Sequence, residues 1–212
     1  MKLLAIVGSM RKDKYTNMLV NSLIDDVKEI EKNIESEIIY ICDKEIASCK
    51  VTCSNYCKSK NYECSIKDDV DNIMEKMISA DALIIGAPLY FRTPPAIFHT
   101  FVERLVSLFF NKECQGSIAE ESPLFGKPVA LIGLAEYTNP SQVLEYLNDF
   151  CNILKMNVVK ISRFPYIGVC GQGDIEGDKI FSPFECSKEM AVALVNSMTE
   201  QKLYKLYNLT YK

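Results

Sequence analysis

Leu3-Leu4-Ala5-Ile6-Val7 runs directly into Gly8-Ser9-Met10-Arg11-Lys12-Asp13-Lys14-Tyr15-Thr16-Asn17, and the reading of this junction decides the fold. A short, uninterrupted apolar run makes a strand buried on both faces. It is too short for the apolar stretch of a secretory leader, and Gly8-Ser9 and a charged run close it at once. Over residues 17–33, Leu19, Leu23, Val27 and Ile30 then recur at helical spacing, a stripe that Ile34 continues. Buried strand, polar loop and amphipathic helix form the opening of a β-α unit.

The same alternation recurs along the chain. Apolar runs over 38–41, 82–85, 129–132 and 158–161 read as strands. Asp68-Asp69 supply an N-cap and early negative charge for a helix through residue 80. Further helices are expected from behind Pro95 to near residue 110, over 141–155, and from about residue 187 past residue 203. Five such units predict one α/β domain over 1–212: a doubly wound, five-stranded parallel sheet with helices on both faces. Two segments break the rhythm, a cysteine-rich loop at 42–67 and a polar stretch at 111–126.

The composition bounds the function. The chain has 212 residues, 48% of them hydrophobic, a net charge of −4 and a single histidine, His99. Its cations are outnumbered and dispersed, which excludes a nucleic-acid partner. No run approaches membrane-spanning length, so a cytoplasmic protein is expected. Nine cysteines in such a compartment do not form a disulfide framework. Cys151 falls at helical spacing with Leu147, Phe150 and Leu154 and reads as a small core residue; His99 reads as a helix-surface or interface residue.

Ligands of parallel sheets bind beyond the carboxyl ends of the strands. There, Gly8 lets the backbone approach a ligand, Ser9 and Thr16 offer hydroxyls, and Arg11 offers a forked cation. The free N–H groups of the next helix complete a set suited to a terminal phosphate. The alternative is a turn whose hydroxyls cap the helix and whose cations are solvated. Neither the nucleoside-triphosphatase loop pattern nor G-x-G-x-x-G is present.

A second loop, Gly86-Ala87-Pro88-Leu89-Tyr90-Phe91-Arg92-Thr93-Pro94-Pro95, follows the third strand. Together with Glu103-Arg104 in the next helix, Gly8-Ser9-x-Arg11, Thr16-Asn17, the cysteine loop and Asp68-Asp69, it resembles the NADPH-dependent FMN reductase superfamily, and more narrowly the iron-sulfur flavoproteins. The resemblance implies a flavodoxin-like fold. It implies that Ser9, Arg11, Thr16 and Asn17 hold the FMN phosphate and that Pro88, Leu89, Tyr90 and Phe91 lie along the isoalloxazine; ordinary core packing is the alternative for Tyr90-Phe91. Ala135, Glu136 and Tyr137 would contact the ring from the loop after the fourth strand, which carries fewer glycines than is usual in the family.

Cys49-x3-Cys53-x3-Cys57-x6-Cys64 gathers four thiols in one polar loop. Such a set suits a [4Fe–4S] cluster or a structural zinc, and free thiols are the third reading. The iron-sulfur flavoproteins place two residues between their first three cysteines; here there are three. The expected activity is an FMN-dependent oxidoreductase or electron-transfer flavoprotein, with NAD(P)H or a redox protein as electron partner. The rivals are an NAD(P)H-dependent FMN or quinone reductase without a cluster, a non-catalytic flavodoxin-like carrier, and a zinc-stabilised binding module. A homodimer or homotetramer is expected: the resemblance implies a flavin site beside a subunit interface, and Phe98, Phe101, Val102, Leu105, Phe109 and Phe110 would give one helix more apolar surface than a sheet face covers, with a well-buried helix as the alternative.

Overall fold

A computed structural model describes residues 1–50, 64–109, 122–135, 139–163, 166–172 and 183–210. Strands β1 (Lys2–Val7), β2 (Glu35–Tyr40), β3 (Ala82–Pro88), β4 (Pro128–Ala135), β5 (Asn157–Val158) and β6 (Val169–Gln172) form one parallel sheet. The strand order is β2-β1-β3-β4-β5, and β6 also pairs with β4. The helices are α1 (Tyr15–Ile30), α2 (Asp69–Ser79), α3 (Ala96–Arg104), α4 (Ser141–Ile153) and α5 (Pro183–Thr210). Short 3-10 turns occupy Ile41–Asp43 and Leu105–Phe109.

The core lies on both sheet faces, as successive residues of a strand require. Leu4 and Ile6 of β1 join Leu83, Ile85, Val129 and Leu131 beneath α2, α3 and α4. Leu3, Ala5 and Val7 point the other way, with Ile84 and Ile132, beneath α1 and α5. The doubly wound arrangement expected from the strand runs is therefore present. The edge strand β2 carries exposed charge at Glu35 and Glu37, whereas in β1 the exposed charge is confined to Lys2 at its start.

The fifth strand differs from expectation. The ladder keeps only Asn157 and Val158, and Val169–Gln172 then takes up the same edge of β4 opposite Ile132 to Ala135. The intervening polar residues have other partners. Both the backbone N–H and the hydroxyl of Ser162 donate to Oε1 of Glu189 on α5 at 2.6 Å. Arg163 pairs with Glu185 at 3.0 Å and Glu189 at 3.4 Å. The chain returns to the sheet at Gly168, where a Cβ would stand 2.8 Å from the Leu131 carbonyl oxygen and 2.7 Å from Leu144 Cδ2. Because that oxygen belongs to the sheet, Gly168→Ala is expected to cost about 1–3 kcal/mol of stability through overpacking. A lowered urea midpoint at unchanged m-value checks this.

Candidate functional site

The strand order reverses between β1 and β3, which opens a crevice beyond their carboxyl ends. Two loops diverge there from a shared bond: the Gly8 N–H donates to the Gly86 carbonyl at 2.7 Å. The Phe98 ring of α3 packs against Gly8, where a Cβ would meet its Cδ2 at 2.5 Å. Glycine is the residue that fits this approach.

In the first loop Ser9 and Thr16 are buried. The Ser9 hydroxyl donates to the Arg11 carbonyl at 3.0 Å and accepts from the Arg11 N–H at 3.1 Å, which folds the loop back on itself. Lys14 stands at the N-cap of α1 without a side-chain cap, and the first turn holds no acidic residue. The positive end of this helix is thus left uncompensated, beside the exposed Arg11. In α2, by contrast, the Asp68 cap accepts from the Val70 N–H at 3.1 Å, and Asp69 and Asp71 lie in the first turn. Asn17 is held by Tyr40, whose hydroxyl donates to Oδ1 at 2.7 Å, and by Asn21 Nδ2 at 3.1 Å. Lys12 pairs with Asp43 and lies 5.1 Å above the Tyr40 ring. The Asp43 carboxylate raises the Lys12 pKa.

In the second loop Pro88 ends β3, Leu89 is buried, and the Leu89 N–H donates to Leu134 of β4 at 2.6 Å. Tyr90 and Thr93 close a tight turn by two backbone bonds of 2.7 and 3.0 Å. Phe91 (φ +49°) and Arg92 (φ +68°) are both left-handed at its tip, a conformation costly for side chains of their size. Phe91 is fully exposed, so it is no core residue. Behind the turn lies an open, largely apolar cleft of about 600 Å³ bordered by Met10, Tyr90, Phe91, Pro94, Ile97 and His99. Ala135 ends β4 with its methyl group in the core, while Glu136 and Tyr137 lie outside the described residues.

Of the four clustered cysteines, Cys49 is half-buried and Cys64 buried, and Cys53 and Cys57 lie outside the described residues. The two ends of their loop are tied together. Glu45 N–H donates to Asp69 at 2.8 Å and Ala47 N–H to Asp68 at 2.8 Å. Arg104, with no exposed surface, fills the neck between them. It donates to both carboxylate oxygens of Asp68 at 2.6 and 3.2 Å, and to the carbonyls of Ala47 at 2.8 Å and Ile66 at 3.1 Å. Its Nε–H has no partner among the described residues. Burial pushes the Arg104 pKa down, but the hydrogen bond to Asp68 and the nearby Cys64 more than restore it. Burial raises the Asp68 carboxyl, but the bonds from Arg104, Ala47 and Val70 outweigh it and leave its pKa below the ordinary value.

Residues 1–165 match the NADPH-dependent FMN reductase family. The chain belongs to that family. An iron-sulfur flavoprotein of Methanocaldococcus jannaschii is 31% identical over 84% of this chain and 86% of its own length. An FMN-dependent NADPH-azoreductase of Staphylococcus aureus is 26% identical over 71% of this chain and 79% of its own. The flavodoxin-like WrbA-like protein of Agrobacterium tumefaciens superposes with a TM-score of 0.60 at 13% identity, over 94% of this chain and 98% of that one. The family, a class of flavin-dependent oxidoreductases, therefore has here a flavodoxin-like member. Among the described residues no helix is long and apolar enough to cross a membrane.

Two sets of contacts escaped the sequence reading, those of Arg104 with the neck of the cysteine loop and those of His99. Arg104 sits on the buried stripe with Phe101, Leu105 and Leu108, and a cation in such a stripe was the available signal. His99 Nδ1 lies 2.5 Å from the Tyr146 hydroxyl and Nε2 3.7 Å from Glu103. Burial, and then Glu103, push the Tyr146 pKa up to about 12. Cys151 is buried, and burial raises its thiol well above the usual range, as a core residue requires.

The lowered Asp68 pKa sets a pH dependence. Its stabilising contribution is complete above the unfolded carboxylate pKa of about 3.9 and is lost as pH falls through the lower folded value. Urea unfolding below about pH 4 should therefore show a steeper decline in wild type than in Asp68→Asn, which starts from a lower stability and keeps the acid sensitivity of other hydrogen-bonded carboxylates such as Glu189.

Proposed function

We propose that this protein is an FMN-dependent oxidoreductase that also carries a [4Fe–4S] cluster on Cys49, Cys53, Cys57 and Cys64. The observation that carries the flavin reading is the uncapped N-terminus of α1 facing the buried Ser9 and Thr16 and the exposed Arg11. Those groups offer a phosphate dianion backbone N–H donors, hydroxyls and one forked cation. The apolar cleft beside Tyr90 and Phe91 suits a flat ring, so the residues present fit FMN. When bound, FMN supplies one- and two-electron redox chemistry, and the protein sets its orientation and access.

Around it, the chain's own residues bind and shield. Ser9, Arg11, Thr16 and Asn17 anchor the phosphate; Pro88, Leu89, Tyr90 and Phe91 wall the ring; Ala135, Glu136 and Tyr137 approach it from the end of β4. NAD(P)H or a redox protein is the electron partner. The cysteine loop fits an anionic sulfur centre, because Arg104 brings a buried cation and one unanswered N–H to the side of Cys64. The iron-sulfur flavoprotein relatives support the same assignment.

One observation favours a second reading, a reductase without a cluster: three residues, rather than the two usual in iron-sulfur flavoproteins, separate the first three cysteines. Iron and acid-labile sulfide per chain after anaerobic reconstitution separate the two. Iron is expected in wild type and lost in Cys64→Ser, with FMN retained; FMN-loaded wild type without iron would establish the simpler reductase.

Denaturation is expected to release FMN rather than FAD, identified by chromatography. Arg11→Ala should weaken FMN binding by about 1.5–3 kcal/mol, the scale of a hydrogen bond to a charged group, measured by flavin-fluorescence titration. We propose further that the protein is a homodimer or homotetramer. Phe98, Phe101 and Leu105 are buried in their own core and leave no surplus there, while Phe109 and Phe110 are outside what can be described in side-chain terms. The support comes instead from the fully exposed Phe91 beside the half-exposed Met10. Light scattering at micromolar concentration should give at least twice the chain mass.

A further inference from the structure

Arg104 has more hydrogen-bonding capacity than its protein partners use. Nη1 serves Ala47 and Asp68, and Nη2 serves Ile66 and Asp68. Nε–H alone has no acceptor among the described residues, although the side chain is wholly buried. Asp68 cannot supply one, because its two oxygens already accept from Ala47, Val70 and both ends of the guanidinium. The nearby group with acceptor capacity to spare is Cys64, buried itself and within electrostatic reach of Arg104. Thiolate and sulfide sulfurs are acceptors without donors of their own, which makes them the complement of a buried N–H with no oxygen left to meet.

We propose that Arg104 is the positioning residue and counter-charge of the cysteine centre: its Nε–H donates to a sulfur of that centre while its two terminal nitrogens hold the loop neck closed. The proposal rests on the cluster reading given above. Two consequences separate it from a merely structural pair. Reduction of the centre adds negative charge, so a cation at Arg104 favours the reduced form and a carboxylate at Asp68 opposes it. Removing the first charge should lower the midpoint potential, and removing the second should raise it. Fold damage alone produces no such opposite pair.

The experiment uses full-length protein holding FMN and reconstituted with iron and sulfide. Midpoint potentials are read by redox titration with paramagnetic resonance, and iron loss by transfer to a chelator. Flavin content and circular dichroism check the fold. Arg104→Gln is expected to change the oxidised-to-reduced ratio at fixed ambient potential at least tenfold toward the oxidised form, a shift of 59 mV downward for one electron. Asp68→Asn is expected to move it upward. Arg104→Lys keeps the charge but loses Nε–H and the fork, so its potential stays near wild type while iron is lost about tenfold faster. If Arg104→Gln does not fold, the other two variants carry the test. Midpoints that stay put or move in the same direction, or a lysine variant as resistant as wild type, overturn the role of Arg104 alone. Wild type that takes up no iron overturns the cluster reading and this role with it.

Discussion

The reversal of strand order between β1 and β3 is the constraint on which the rest of the molecule depends. Because α1 packs on one face and α2 on the other, the loops leaving β1 and β3 must part, and the Gly8–Gly86 bond marks the point of parting. The crevice so formed needs no special sequence; only what lines it does. Here one side is an uncapped helix end and the other an apolar turn, a polar end and an apolar end for one amphipathic ligand. The ring of Phe98 against Gly8 then fixes α3 to the first loop. The same short helix ends in Arg104, inside the neck of the cysteine loop. One rigid element of roughly 12 Å, at about 1.5 Å per residue, thus links the two regions on which redox groups are proposed.

The energetics of that neck follow from burial. A guanidinium taken from water is costly unless paired and hydrogen-bonded, and breaking such a pair from one side costs about 3–5 kcal/mol. Arg104 repays the cost with a bidentate carboxylate and two carbonyls. In closing the ends of a long loop, it also removes chain entropy that a metal would otherwise have to overcome. Asp68 works twice, as the cap of α2 and as the counter-ion of Arg104. At the other end of α2, buried Lys127 donates to the carbonyls of Ile78 and Ala80. That helix is answered at both ends by charge of the right sign, which makes the unanswered N-terminus of α1 informative.

What the sequence made legible was whatever leaves a local pattern. Leu3 to Val7, the α1 stripe and the Asp68 cap each declare themselves within a few residues, and the structure bears them out except at Ile30, which ends α1 exposed. The division of the core between two faces followed from the strands being apolar throughout. The interrupted edge at β5 and β6 was not legible, because it depends on Glu189, 27 residues away, taking the Ser162 N–H. The role of Arg104 was hidden for the same reason: its partners Ala47, Ile66 and Asp68 lie 36 to 57 residues away. The Asp68-Asp69 pair could be read as a helix start, but not as half of a clasp. Tertiary partners of polar groups are the part of a fold that periodicity does not encode.

The turn at Phe91-Arg92 holds strain that the fold does not use. Two non-glycine residues there hold left-handed backbone geometry, at about 1–2 kcal/mol each. The two Tyr90–Thr93 bonds and the buried Pro94-Pro95 that follow maintain the turn. A turn of this shape is least strained with Asn and Gly at its tip, and here it carries a phenylalanine and an arginine instead. The core gains nothing in return, since Phe91 is fully exposed. Strain retained without a folding benefit points to a benefit in binding. On the proposed reading, the acceptor of that aromatic surface is the flavin ring or a second copy of the chain. Either one covers apolar surface that this chain alone leaves in water.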